Sequence, residues 1–351
     1  MTISELPLII QTSYAELIDQ LRVHAASNFP EGSTFRMRRI SGKAYWYVQE
    51  PTGPTGRPPE RYLGVDTPER REAIEEGRRA KADADGRKAI IRALKAAGLP
   101  EPDGLTSAVI DALAAAGVFR LRGVLVGTVA FQTYAGLLGV RLPGTAIRTG
   151  DVDLAQDYGV SVAVKESIDA PLLEVLKSVD QDFRPVPSIA GPNVVSAYTR
   201  PGGYRVDVLT TNRGAERDDP VNLPSLKTDA VALRFLDYLL RDTVEAAVLS
   251  RFGTLVNVPA PERYAVHKLI VSTLRKESGE SAAKADKDIA QAGLLIDALF
   301  AKRRKADLED VLLEAVERGP GWRSRLETAS ERLNNDQKEP FTEILSKTVS
   351  G

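Results

Sequence analysis

The chain has 351 residues, a hydrophobic fraction of 43%, and 47 Lys and Arg against 48 Asp and Glu for a net charge of -1; its length exceeds a usual single core, so two or three domains are expected. It has no cysteine, which excludes disulfides, thiolate zinc sites and a cysteine nucleophile, and its two histidines, His24 and His267, are too few for a histidine-rich metal site. Balanced charge gives no global field toward nucleic acid, so any such binding must come from a local patch.

The first residues, Met1-Thr2-Ile3-Ser4-Glu5, show neither a basic n-region nor a long apolar stretch, and no run reaches membrane-spanning length; a soluble, cytoplasmic protein is expected. Helical spacing over Tyr14 to Ala25, behind the cap candidate Thr12-Ser13, predicts a short amphipathic helix. Ser33 to Glu50 alternates around a Ser41-Gly42-Lys43 turn, a hairpin signal, and a third strand at Arg61 to Gly64 follows the Pro/Gly-rich stretch Pro51 to Pro59. In this small sheet Arg36, Arg38, Arg39, Lys43 and Arg61 interleave with Phe35, Tyr45, Trp46, Tyr47 and Tyr62, cations suited to phosphates and aromatics suited to stacking. Aromatics at period two are more often the buried face of a sheet, so packing is the preferred reading and polynucleotide contact the alternative.

Pro68 to Ala97 is dense in Glu, Arg, Lys and Ala and predicts a long exposed helix ending at Gly98. A helix from Thr106 to Ala116 follows, then an apolar strand from Gly123 to Val126. Strand and helix signals alternate through Asp151 to Leu154, Leu172 to Val179, Val194 to Tyr198, Tyr204 to Leu209, and Ala246 to Ser250 with Thr254 to Val258. From Pro261 the pattern is helical to the end, with helices near Glu262 to Leu274, Ala282 to Phe300, Leu308 to Arg318 and Gly321 to Asn334. The expected fold class is α+β: a small mixed-sheet core over residues 101–260, an amino-terminal hairpin and helix module over 1–100, and a carboxy-terminal helical bundle over 261–351.

The chemistry concentrates between Leu125 and Leu209. An apolar strand enters Gly127-Thr128, a helix runs through Tyr134 to Leu138, and Thr149-Gly150-Asp151-Val152-Asp153-Leu154 follows. Side chains alternate along a strand, so Asp151 and Asp153 share a face and can grip one cation. A later apolar strand carries the single acid Asp207, and hard cations are held by a few carboxylates together with substrate phosphate oxygens. Taken singly, these residues have plainer readings: a solvated strand end for Asp151 and Asp153, a strand acid paired with Arg205 or Arg213 for Asp207, a snorkelling lysine for Lys268, and a solvated charged face for Asp288 beside Lys284, Asp286 and Lys287.

The order of small-residue turn, helix, Asp-x-Asp strand and third acid resembles the nucleotidyltransferase superfamily, on Gly127, Thr128, Asp151, Asp153 and Asp207. The stretch Val258 to Leu269 and then Lys284-Ala285-Asp286-Lys287-Asp288 is similar to the bacterial abortive-infection and toxin-antitoxin members, in which a lysine and an aspartate on the helices after the core complete the site. The resemblance spans roughly Gly123 to Leu299. It departs from the pattern in the inserted segment Leu142 to Ile147 and in Gln291, where a second acid is usual.

What the resemblance implies is transfer of a nucleotidyl group from an NTP such as ATP or GTP, with Asp151, Asp153 and Asp207 as catalytic acids and ligands of Mg2+ or Mn2+. Gly127, Thr128, Arg148, Lys268 and Asp288 would bind the nucleotide. The acceptor would be an RNA end, tRNA-like, or a protein hydroxyl, and the output growth inhibition held in check by an antitoxin. Rival readings are a nucleotide-binding regulator, a nucleic-acid-binding protein on a non-catalytic fold of the same kind, and kinase-like phosphotransfer by the same acids and lysine.

Overall fold

In the computed structural model the described residues are 3–24, 34–40, 42–49, 60–143, 150–188, 190–191, 194–212, 219–277 and 282–347. Arg148, Arg213 and most of the inserted segment lie outside them. No helix among the described residues is long and apolar enough to cross a membrane.

The chain opens with β1 (Ser4–Glu5) and α1 (Leu8–His24). Helix α1 begins ahead of the expected Tyr14 because the Pro7 carbonyl accepts from Ile10 and Gln11 N–H at 2.9 and 3.2 Å, closing a first turn. Leu8 and Ile9 in that turn are exposed, so apolar spacing could not mark it. Strands β2 (Thr34–Ile40), β3 (Lys43–Gln49) and β4 (Glu60–Val65) form an antiparallel sheet in that order, followed by the long helix α2 (Pro68–Ala96). Thr67 caps α2 by accepting from Arg70 N–H, and Pro68 stands at the first turn, where its missing donor costs nothing. Trp46 is 5% exposed, its Nε1–H donates to Asp66 Oδ1 at 2.8 Å, and Arg78 of α2 lies over its ring. Tyr45, Tyr47 and Tyr62 take the opposite face, half-buried or exposed, so the packed reading holds for Trp46 and fails for the tyrosines.

The core follows as α3 (Gly104–Ala115), β5 (Val124–Val126), α4 (Gly127–Leu138), β6 (Val140–Arg141), β7 (Asp151–Gln156), α5 (Tyr158–Ala163), α6 (Leu172–Val179), β8 (Arg184–Pro185), β9 (Ala197–Thr199) and β10 (Arg205–Thr211). Next come β11 (Val221–Leu223), β12 (Thr228–Leu233), α7 (Leu236–Leu239), β13 (Thr243–Val248) and β14 (Thr254–Pro259). The main sheet has the order β11-β12-β10-β7-β5, with β9 against the first half of β10 and β8 against β9. Strands β7, β10 and β12 run parallel and β5 antiparallel, which makes the sheet mixed and the fold α+β. Strands β11 and β12 were not legible as strands: Ala230, Ala232 and Leu233 are good helix formers, and pairing of β12 with Leu209 to Thr211 of β10 overrides that preference. Strands β13 and β14 make their own antiparallel ladder rather than extending the sheet. Asn257 ties β14 to the core through its side chain, donating to the Phe119 and Gly123 carbonyls at 2.7 and 3.0 Å.

Among the described residues the chain closes with α8 (Pro261–Glu277), α9 (Ala282–Ala301), α10 (Lys305–Glu317), α11 (Pro320–Ser330) and α12 (Asn335–Lys347). Arg263 to Ile270 of α8 are all buried, so this helix runs through the interior between the sheet and the other helices. One hydrophobic cluster extends from Val109 to Leu345, and a second joins α1 to the end of α2 and to Ala247 and Leu249.

Candidate active site

The acid strand is alternating by sequence and by burial: Val152 and Leu154 are fully buried, Asp151 is exposed and Asp153 half-buried on the other face. Parallel pairing of β7 with β10 sets Asp207 beside Asp153 and Arg205 beside Asp151, and antiparallel pairing with β5 sets Val126 on the other side of Asp153. The chain therefore turns out of β5 into Gly127 next to the Asp153 carboxylate. Gly127 has φ +64°, and a Cβ there would stand 2.0 Å from Asp153 Oδ2. Only glycine meets both demands, left-handed backbone and no side chain. Thr128 follows in the first turn of α4, half-buried, at the helix end whose free N–H groups attract anions.

A residue to which the sequence assigns no role of its own, Tyr264, holds this turn. The Tyr264 hydroxyl, on α8, donates to the Gly127 carbonyl at 2.8 Å and lies 3.0 Å from Gln291 Oε1 on α9. Its ring meets Tyr134 of α4 edge-on at 5.1 Å. Gln291 Oε1 is a second acceptor within reach of the same hydroxyl proton.

Lys268 and Asp288 are brought together. Lys268 Nζ donates to Asp288 Oδ1 at 2.6 Å, and Arg275 Nε forms an ion pair with Asp288 Oδ2 at 2.7 Å; Asp288 itself is 3% exposed. The snorkelling and solvated-face readings of these two residues are overturned, since both are buried. The sequence assigns no role to Arg275, and places Lys287 on a solvated face. The spacing i, i+4 and beyond by a further two turns, Tyr264, Lys268, Arg275, is a helix stripe that could have found Arg275. Lys287 was read as solvated, yet burial lowers its pKa, as does Lys268, while Asp288, Asp151 and Asp153 oppose them.

The electrostatics join the two halves of the site. Burial pushes the Asp153 carboxyl above its ordinary range, the Lys268 ammonium pulls it back, and the Asp207 and Asp151 carboxylates push it up further. Asp207 accepts from Arg205 Nε at 2.7 and 2.9 Å, one of the plainer readings of that acid. Among the described residues no three carboxylate or imidazole groups stand close enough to form a ready cation cage. His267, buried beside Lys268 and Arg275, is held neutral with its pKa lowered to about 3, chiefly by burial.

A family model described as nucleotidyltransferase matches residues 105–317, from α3 to the end of α10. The chain belongs to the nucleotidyltransferase family. The match takes in Gly127, the three acids, Lys268 and Asp288, and leaves the β2-β3-β4 sheet outside. Comparison with curated proteins gave no match, nor did comparison with solved structures.

Proposed function

We propose that this nucleotidyltransferase moves a nucleotidyl group from an NTP, ATP or GTP, to a hydroxyl on an RNA end, tRNA-like, or on a protein, with Mg2+ or Mn2+ held by Asp151, Asp153 and Asp207. The observation that carries the reading is the row Val126, Asp153, Asp207 across three strands, with Gly127 closed on the Asp153 carboxylate. Asp151, Asp153 and Asp207 offer carboxylate oxygens on one face of the sheet, the donor type a hard divalent cation takes; the three do not close a cage by themselves, so triphosphate oxygens would complete the ligand set, and Asp153 carries a burial and like-charge cost that a cation would relieve. Bound there, the cation supplies charge neutralisation at the triphosphate.

The chain's own groups do the rest. Asp207, where it does not join a second cation, takes the proton of the acceptor hydroxyl as the hydroxyl oxygen bonds to the α-phosphorus; the bond from that phosphorus to the β-phosphate oxygen breaks, and pyrophosphate leaves. Thr128 and the N–H groups opening α4 receive the terminal phosphates, and Lys268 balances their charge, with Arg148 assigned the same role from sequence alone. Asp288 fixes the Lys268 ammonium by their 2.6 Å bond. By resemblance the biological output is growth inhibition in a bacterial cytoplasm, relieved by an antitoxin.

The test is incubation with NTPs labelled at the α- or the γ-phosphate. Label from the α-position on RNA or protein supports the proposal, whereas γ-label on the acceptor makes the reaction a kinase-like phosphotransfer and overturns it. The hold of Arg205 on Asp207 favours a second reading, a nucleotide-binding regulator without turnover. NTP binding with neither label transferred selects that one.

A further inference from the structure

The β2-β3-β4 sheet lies outside the residues matched to the nucleotidyltransferase family, so the catalytic core does not account for it. Register pairs Arg36 with Tyr47, Arg38 with Tyr45 and Tyr47 with Tyr62, which puts these five side chains on one face. The Tyr62 ring stands 6.2 Å from Tyr45 and 5.4 Å from Tyr47, and the Arg38 guanidinium lies over Tyr47 at 4.7 Å while pairing with Glu60. Tyr62 is 53% exposed, against 5% for Trp46 on the face toward α2. The tyrosine face carries three cations, Arg36, Arg38 and Lys43, against one acid, Glu60, in a chain whose net charge is -1. Aromatic faces left in water beside cations are costly as packing and suited to stacking.

We infer that this face binds single-stranded RNA, with bases stacked on Tyr62 and Tyr45 and on the Arg38 guanidinium plane, and phosphates met by Arg36 and Lys43. Unpaired bases are required because only they expose both ring faces to a flat sheet. The local excess of positive charge complements a polyanion where the rest of the chain does not. The choice of RNA rests on the proposed RNA acceptor; the stacking geometry does not depend on it.

The experiment is fluorescence anisotropy of a short labelled single-stranded RNA of mixed sequence with the full chain, without NTP, over a series of salt concentrations. Tyr62→Ala should weaken binding about tenfold, equivalent to about 1.4 kcal/mol, and Tyr62→Trp should restore it. Arg36→Gln should weaken binding and flatten the log–log salt slope by about 0.7. NTP affinity should stay unchanged in all three variants. Equal RNA affinity for the wild type, Tyr62→Ala and Arg36→Gln would overturn the inference, as would tighter binding of single-stranded DNA, duplex RNA or an acidic peptide. Tyr62-dependent RNA binding without label transfer removes the catalytic reading and leaves this one; label transfer with Tyr62-independent binding does the reverse.

Discussion

Asp153 carries the sharpest residue-level consequence. Its carboxyl pKa is raised, so between the ordinary value of 3.8 and the raised one the folded state holds more protons than the unfolded, and stability falls as pH rises through that window. That cost persists at neutral pH, where Asp153→Asn should raise the thermal midpoint while lowering turnover by on the order of a hundredfold or more; the stability gain should shrink as pH falls toward 3.8. Unchanged turnover would sink the assignment. His267 has the opposite sign. Its pKa is lowered from 6.5 to about 3, so the unfolded state alone gains a proton across that range and the stability from burying a neutral imidazole is lost as pH falls. His267→Gln should flatten the acid limb of a stability-against-pH curve by about 1.4 kcal/mol per pH unit. Lys268→Met should raise the NTP dissociation constant about tenfold, or 1.4 kcal/mol. It should also cost about 2 kcal/mol of stability, less than the roughly 3–5 kcal/mol of a stranded buried charge because Arg275 still pairs with Asp288. Adding Asp288→Asn should return most of that stability and none of the affinity, a coupling that a double-mutant cycle reads directly.

At the scale of elements, the joint between β5 and α4 decides whether the site can form. The strand delivers Val126 opposite Asp153, and the helix starts one residue later, at Gly127. Gly127→Ala forces a side chain into left-handed backbone, about 1–2 kcal/mol, and drives Cβ onto the Asp153 carboxylate, 2.0 Å away. Denaturant unfolding should show a loss at least that large, and turnover should fall on the order of a hundredfold because displacement near 1 Å is enough to misalign reacting groups. Wild-type turnover in this variant would mean that the turn does not line the phosphates. Helix α8 holds the same joint through Tyr264, whose hydroxyl donates to the Gly127 carbonyl.

Across the whole molecule, the amino-terminal helices are packed onto the core through α1 and the end of α2. Tyr14 of α1 accepts from Ala247 N–H at 3.0 Å and donates to the Ala247 carbonyl at 3.1 Å, and Leu17, Leu21 and Leu94 pack around Ala247 and Leu249. Burying each such leucine contributes about 1.5–3 kcal/mol. Removing residues 1–100 should therefore lower the thermal midpoint of the remainder by about 10–20 °C, given about 2–4 °C per kcal/mol for a chain of that size. A truncated protein melting with the full chain would show that the segment folds apart from the core.

The sequence by itself determined the elements of the site and their order. Period-two alternation placed Asp151 and Asp153 on one face, the small residue at Gly127 marked a tight turn, and helical spacing marked α8 and α9. It also supplied the cations and rings of the β2-β3-β4 sheet, though not which face they take. Only the tertiary structure decided the neighbours: Asp207 beside Asp153, Tyr264 on the Gly127 carbonyl, and Arg275 with Lys268 on Asp288. It likewise turned Trp46 inward and the tyrosines outward, and drew an alanine-rich stretch into strand β12. The physical reason is the same in each case. Local backbone preference sets the direction in which a side chain leaves its own strand or helix, whereas its partner comes from an element tens of residues away, chosen by the burial and pairing of the whole chain.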